Sequence, residues 1–182
     1  MNIILIGYRC TGKTSVGRRI AVHMGIPFYD TDELIQRQVG KTIREMVEEE
    51  GWDAFRAQER AIIKKLPASA DAVIAAGGGA IMDPENRKSL KHNGLFVWLI
   101  ADVKTIVERM RDDRTSDAQR PPLSGHSLEQ ETTEVLEARK PIYRALADCT
   151  IDTSGKGIAA IADEILSALS RCRLDEQRSR AT

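Results

Sequence analysis

Ile3-Ile4-Leu5-Ile6-Gly7-Tyr8-Arg9-Cys10-Thr11-Gly12-Lys13-Thr14 decides the fold. The first four residues form a continuous apolar run stopped by glycine, the pattern of a strand buried on both faces of a parallel sheet. From Lys13 onward, Val16, Ile20, Ala21 and Met24 fall on one helical face, and Gly25 stops that helix. Between strand and helix, Gly7 to Thr14 match G-x-x-x-x-G-K-[ST]. In such a loop successive backbone N–H groups form an anion nest backed by the positive end of the helix dipole. Lys13 would reach the β- and γ-phosphates of a nucleotide, and the Thr14 hydroxyl would bind Mg²⁺. By itself the loop separates neither kinases from GTPases nor either from other ATPases.

Outward from this loop, apolar runs and helical periods alternate. Pro27-Phe28-Tyr29 reads as a second strand ending in Asp30-Thr31-Asp32, Ala72 to Ala76 as a third, Leu95 to Ile100 as a fourth and Thr150-Ile151 as a last. Helices are predicted over 33–39, over 43–66 with a break near Gly51, from Pro84, over 103–110 and over 127–146, with a kink or break near Pro141. Ile158, Ile161, Ile165 and Leu169 mark an amphipathic final helix, and 173–182 reads as a charged, frayed tail. Strands alternating with helices imply one three-layer α/β domain over about residues 1–172.

Composition narrows the partners. Of 182 residues, 27 are Lys or Arg and 27 are Asp or Glu, so no global basic field is available for nucleic acid. Cys10, Cys149 and Cys172 are odd in number and far apart; they lack metal-ligand spacing, and a disulfide framework is not expected in a chain this size. No basic leader or membrane-length apolar run is present, so a cytoplasmic protein is expected.

Three features point to the other reactant. Two carboxylates one residue apart, Asp30 and Asp32, stand at a strand's carboxyl end, where open α/β sheets bind ligands. They either position a hydrated cation and accept a hydroxyl proton, or cap the helix that follows. Gly77-Gly78-Gly79, after the third strand, offers unhindered N–H groups to a ligand, or is a plain turn. Arg56 in Phe55-Arg56-x-x-Glu59, Arg120 in Arg120-Pro121-Pro122-Leu123 and Arg139 before Lys140-Pro141-Ile142-Tyr143 could bind carboxylate or phosphate through paired hydrogen bonds, or be solvated.

Taken in order, the loop at 7–14, Asp30-x-Asp32, Phe55-Arg56-x-x-Glu59, the triple glycine, Arg120-Pro121-Pro122-Leu123 and Arg139-x-Pro141-x-Tyr143 resemble the shikimate kinase family over nearly the whole chain. The resemblance implies a P-loop kinase fold with a five-stranded parallel sheet in the order 2-3-1-4-5, an acceptor-binding segment at about 31–62 and a lid at about 111–125. It implies transfer of the ATP γ-phosphate to the 3-hydroxyl of shikimate, with Mg²⁺, by a monomeric enzyme. Residue by residue, it implies catalytic roles for Lys13, Asp32 and Arg120. ATP contacts are expected from Gly7, Arg9, Cys10, Thr11, Gly12, Lys13, Thr14, Ser15, Arg120 and, packing against adenine, Arg109. Asp32, Arg56, Gly77, Gly78, Gly79 and Arg139 are expected on the acceptor, with Glu59 holding Arg56. Thr14, and Asp30 through water, are expected at the metal.

This chain departs from the family at Cys10, where the loop usually carries glycine, and in a lid that is longer around 115–119. Competing readings are a related kinase for gluconate or a nucleoside monophosphate, and a non-catalytic nucleotide-binding module. Nucleic-acid binding fails on the neutral charge and the few aromatics.

Overall fold

A computed structural model describes residues 1–67, 71–112 and 127–180, with side chains through residue 171. Five strands form one sheet: β1 (Asn2–Ile6), β2 (Phe28–Asp30), β3 (Val73–Ala75), β4 (Gly94–Ile100) and β5 (Cys149–Asp152). They are parallel throughout, in the order β2-β3-β1-β4-β5, as the resemblance implies. The helices are α1 (Lys13–Met24), α2 (Thr31–Val39), α3 (Ile43–Lys65), α4 (Pro84–Lys91), α5 (Val103–Asp112), α6 (Leu128–Leu146) and α7 (Ile158–Arg180), with a 3₁₀ turn at Ala80–Met82.

Alternation along β1 explains the layering. Ile3 and Leu5 face one core with Val16, Ile20, Ile161 and Ile165, from α1 and α7. Ile4 and Ile6 face the other, with Ile63, Ile81, Leu90 and Tyr143. Each such apolar side chain contributes about 1.5–3 kcal/mol when taken fully out of water, so a strand buried on both faces is strongly fixed in register. A smaller cluster of Ile35, Ile43, Met46, Phe55 and Ile62 seats α2 against α3.

Local chemistry sets the element ends. Thr42 with Glu45 and Ser127 with Gln130 form capping boxes at the starts of α3 and α6. Gly51 interrupts α3 at φ 81°, ψ 170°, the break expected there. Two expectations need correction. Of the kink or break expected near Pro141, the break does not occur: α6 runs continuously from Leu128 to Leu146. The carbonyl it deprives of a partner belongs to Glu137, an exposed residue for which water can substitute. Ile158, expected on the buried face of the last helix, is 48% exposed, because it stands in the first turn before that helix reaches the sheet core. The helix also carries on through Arg180, into the stretch read as a frayed tail. Among the described residues, no helix is long and apolar enough to cross a membrane.

Candidate active site

Parallel register brings the three motif segments together. Asp30 pairs with Ala75, and Leu5 pairs with the same residue from the other side. Two residues further along each chain, Asp32, Gly77 and Gly7 therefore leave adjacent strand ends at one height. This is the carboxyl edge of the sheet, where its winding reverses about β1.

The phosphate loop bends sharply at Gly7, with φ 139°, and a Cβ there would run into the Leu99 carbonyl of β4. Cys10 is the one non-glycine residue with positive φ among the described residues, at 59°. That left-handed conformation accounts for the glycine usual at this place in related loops. Thr11 Oγ1 donates to the Tyr8 carbonyl at 2.8 Å. Lys13 Nζ donates to the carbonyls of Gly7 and Tyr8 at 2.9 and 2.7 Å, so its ammonium lies across the loop. Ser15 is exposed in the first turn of α1.

Thr14 Oγ1 donates to Asp30 Oδ2 at 2.7 Å. Asp30 Oδ1 meanwhile accepts the amides of Asp32 and Glu33, capping α2. Both readings of this residue therefore hold at once: one oxygen caps, and the other faces the loop threonine. Burial, and then the neighbouring Asp32, push the Asp30 carboxyl above the usual carboxylate range, against the pull of Thr14. A site in which burial and a second carboxylate disfavour negative charge suits a cation. Among the described residues no cluster of three or more His, Cys, Asp or Glu side chains could hold a metal alone. The hard oxygens of Thr14 and Asp30 fit Mg²⁺, which keeps waters and takes its other ligands from phosphate.

Beside the loop lies a pocket walled by Tyr8, Arg9, Asp32, Arg56, Gly79 and Arg139, with Ile43, Trp52, Phe55, Glu59 and Gly78 completing it. Arg56 Nη1 donates to Glu59 Oε2 at 2.7 Å, and its guanidinium lies over the rings of Phe55 and Trp52. Glu59 is 1% exposed, and burial pushes its carboxyl up to about 7 even against the pull of Arg56. Arg139 Nη1 donates to the Gly78 carbonyl at 2.9 Å. A Cβ at 79 would stand 2.5 Å from Arg56 Nη2, so a side chain there would push the guanidinium aside.

The structure thus gathers Lys13, Thr14, Asp30, Asp32, Arg56, the triple glycine and Arg139 around one crevice. Arg120, the lid expected at 111–125 beyond residue 112, and its extra polar piece lie outside the described residues. Two arginines expected on the ATP side have defined partners. Arg9 Nη2 pairs with Glu131 Oε1 at 2.7 Å, with both side chains largely buried, and Arg9 also lines the pocket beside the loop. Arg109 donates to the carbonyl of Cys10 at 3.2 Å and to Thr153 at 3.0 and 2.7 Å, which ties the end of α5 to the phosphate loop. Sequence reasoning assigned no pocket role to Tyr8, Ile43 or Trp52, which line it.

A family model described as shikimate kinase matches residues 9–170. This chain belongs to the shikimate kinase family. A shikimate kinase of Syntrophus aciditrophicus is 50% identical over 173 residues, spanning 91% of this chain and 89% of the relative. One from Thiobacillus denitrificans is 39% identical over 160 residues, covering 88% and 85%. Among solved structures, the shikimate kinase of Acinetobacter baumannii in complex with shikimate superposes with a TM-score of 0.88 at 36% identity, covering 95% of this chain and 94% of that one. A gluconokinase from Sinorhizobium meliloti shares the fold, with a TM-score of 0.62 at 23% identity. The shikimate kinases are therefore nearer in both sequence and shape than this representative of the rival small-acid kinases.

Proposed function

We propose that this protein transfers the γ-phosphate of ATP to the 3-hydroxyl of shikimate, and that Arg56 and Arg139 clamp the acceptor's carboxylate. The observation that carries the reading is the pocket itself. Two guanidiniums, a buried aspartate and glycine backbone converge beside a phosphate loop, a constellation suited to a small polyol acid.

Each group has a task. Arg56 is held by Glu59 and by the Trp52 and Phe55 rings, so its fork is oriented before the ligand arrives. Arg139 faces it from α6. With the carboxylate gripped, the ring's hydroxyls turn toward Asp32, which accepts the proton of the attacking hydroxyl. The new bond joins that oxygen to the γ-phosphorus, the bond from phosphorus to the β,γ-bridging oxygen breaks, and ADP leaves with that oxygen. Lys13 exchanges the loop carbonyls for β- and γ-phosphate oxygens, and Arg120 neutralises charge on the transferring group. Mg²⁺, when bound by Thr14 and through water by Asp30, supplies further charge neutralisation on the phosphates. The amides of Gly7 to Ser15 cradle the phosphates, and Arg109 borders the adenine side.

The same reading treats the chain as one domain with an acceptor segment at 31–62 and a lid at about 111–125. It makes the enzyme monomeric and cytoplasmic, without nucleic-acid or membrane partners. Steady-state ADP release with ATP, Mg²⁺ and a panel of acceptors tests it. Shikimate should stimulate release strongly; stimulation by gluconate or a nucleoside monophosphate in its place would overturn the assignment.

A further inference from the structure

We infer that Tyr143 is a positioning residue of the acceptor site, acting through the Gly78 carbonyl, and that Thr31 holds the same loop from the opposite side. This rests on the shikimate reading, which places Arg139 and the glycine loop on the acceptor.

Three consecutive glycines have little conformational preference of their own, so the loop's shape has to be imposed from outside. Two hydroxyls impose it. Tyr143 Oη donates to the Gly78 carbonyl oxygen at 2.5 Å, the same atom that accepts Arg139 Nη1 at 2.9 Å. Arg139 and Tyr143 are four residues apart on α6 and so lie on one face of it. A carbonyl oxygen has two lone pairs, and this pair of donors uses both. The phenol thereby settles which lone pair is left for Arg139, and with it the plane of the guanidinium whose remaining nitrogens serve the pocket.

On the other side, the Gly77 amide donates to Thr31 Oγ1 at 2.8 Å. Thr31 is fully buried, between Asp30 and Asp32. The peptide that enters the loop, Ala76–Gly77, is thus tied to Thr31 within the acid pair, and the Gly78–Gly79 peptide to α6. The anchors themselves are rigid. Tyr143 is 1% exposed and stacks on Trp98, with centroids 5.6 Å apart and planes 21° from parallel. Burial pushes its hydroxyl up to about 12, so it remains a donor over the working range.

The test compares Tyr143→Phe, Thr31→Val and Thr31→Ser with the wild-type enzyme by steady-state kinetics and thermal unfolding. Loss of one neutral hydrogen bond should raise the KM for shikimate about five- to tenfold in Tyr143→Phe and Thr31→Val, with kcat within about twofold and the KM for ATP unmoved. Thr31→Ser, which keeps the acceptor oxygen, should restore the wild-type KM. Variants that melt earlier but keep the wild-type KM for shikimate would overturn the proposal, and so would equal rises in both KM values. A wild type inactive on shikimate would instead sink the functional reading, and this inference with it. Should Tyr143→Phe fail to fold, the Thr31→Val and Thr31→Ser pair decides by the same split.

Discussion

Glu59 Oε2 accepts a hydrogen bond from Arg56 Nη1 at 2.7 Å, and the carboxyl is almost wholly buried while the guanidinium reaches the pocket wall. The buried partner therefore sets the direction of the exposed one. Deprotonated Glu59 makes a charge-assisted bond, whereas protonated Glu59 offers only a weaker acceptor.

A pH dependence follows, with its sign fixed by burial. The carboxyl is pushed up to about 7, with Asp32 adding to the rise and Arg56 and Arg139 opposing it. As pH rises through about 7, Glu59 ionises and locks Arg56, so the KM for shikimate should fall. Stability moves the other way. A folded-state value above the unfolded one contributes stability that is full below the unfolded value of about 4.3 and is lost as pH rises through about 7. Glu59→Gln should flatten both profiles, as measured by kinetics and melting across that window.

Arg139→Lys should raise the KM for shikimate by roughly tenfold or more while leaving the KM for ATP unchanged. Lysine keeps the charge but not the fork that reaches Gly78 and a carboxylate together. Steady-state kinetics with each substrate varied in turn checks this.

Asp32→Asn should lower kcat by about two to four orders of magnitude, the range for removing a positioned base, with shikimate binding reduced far less. Rapid-quench measurement of the transfer step, beside equilibrium binding, separates the two effects.

Asp30→Asn separates capping from cation binding. Asparagine caps a helix about as well as aspartate, so unfolding should shift by less than about 1 kcal/mol. The Mg²⁺ concentration giving half-maximal activity should nevertheless rise several-fold, as read from a metal titration at saturating ATP.

Much of this site was legible in the sequence because its parts are backbone devices with fixed spacing. Gly7, with positive φ against Leu99, and the apolar run before it leave few alternatives to a strand-loop-helix unit. Asp30 and Asp32 were readable from their place at the carboxyl end of β2, although the division of labour between the two Asp30 oxygens was not. The rest depends on distance along the chain. Arg9 and Glu131 are 122 positions apart, and neither residue signals its buried partner. Tyr143 and Gly78 are 65 apart and meet only because α6 packs against β4 and the 3₁₀ turn that follows the glycines. Pro141 misled because a local rule about helix interiors ignores whether the orphaned carbonyl can reach water. Ile158 misled because periodicity does not reveal where a helix first touches its sheet.

The central claim, a carboxylate clamp built from Arg56 and Arg139, is tested most directly by kcat/KM for shikimate against its carboxamide at fixed ATP and Mg²⁺. Losing a buried charge partner costs about 2–5 kcal/mol, so the amide should be poorer by roughly thirtyfold to several-thousandfold. In an Arg56→Ala variant that penalty should largely vanish. Equal kcat/KM values for the acid and the amide in the wild-type enzyme would contradict the clamp.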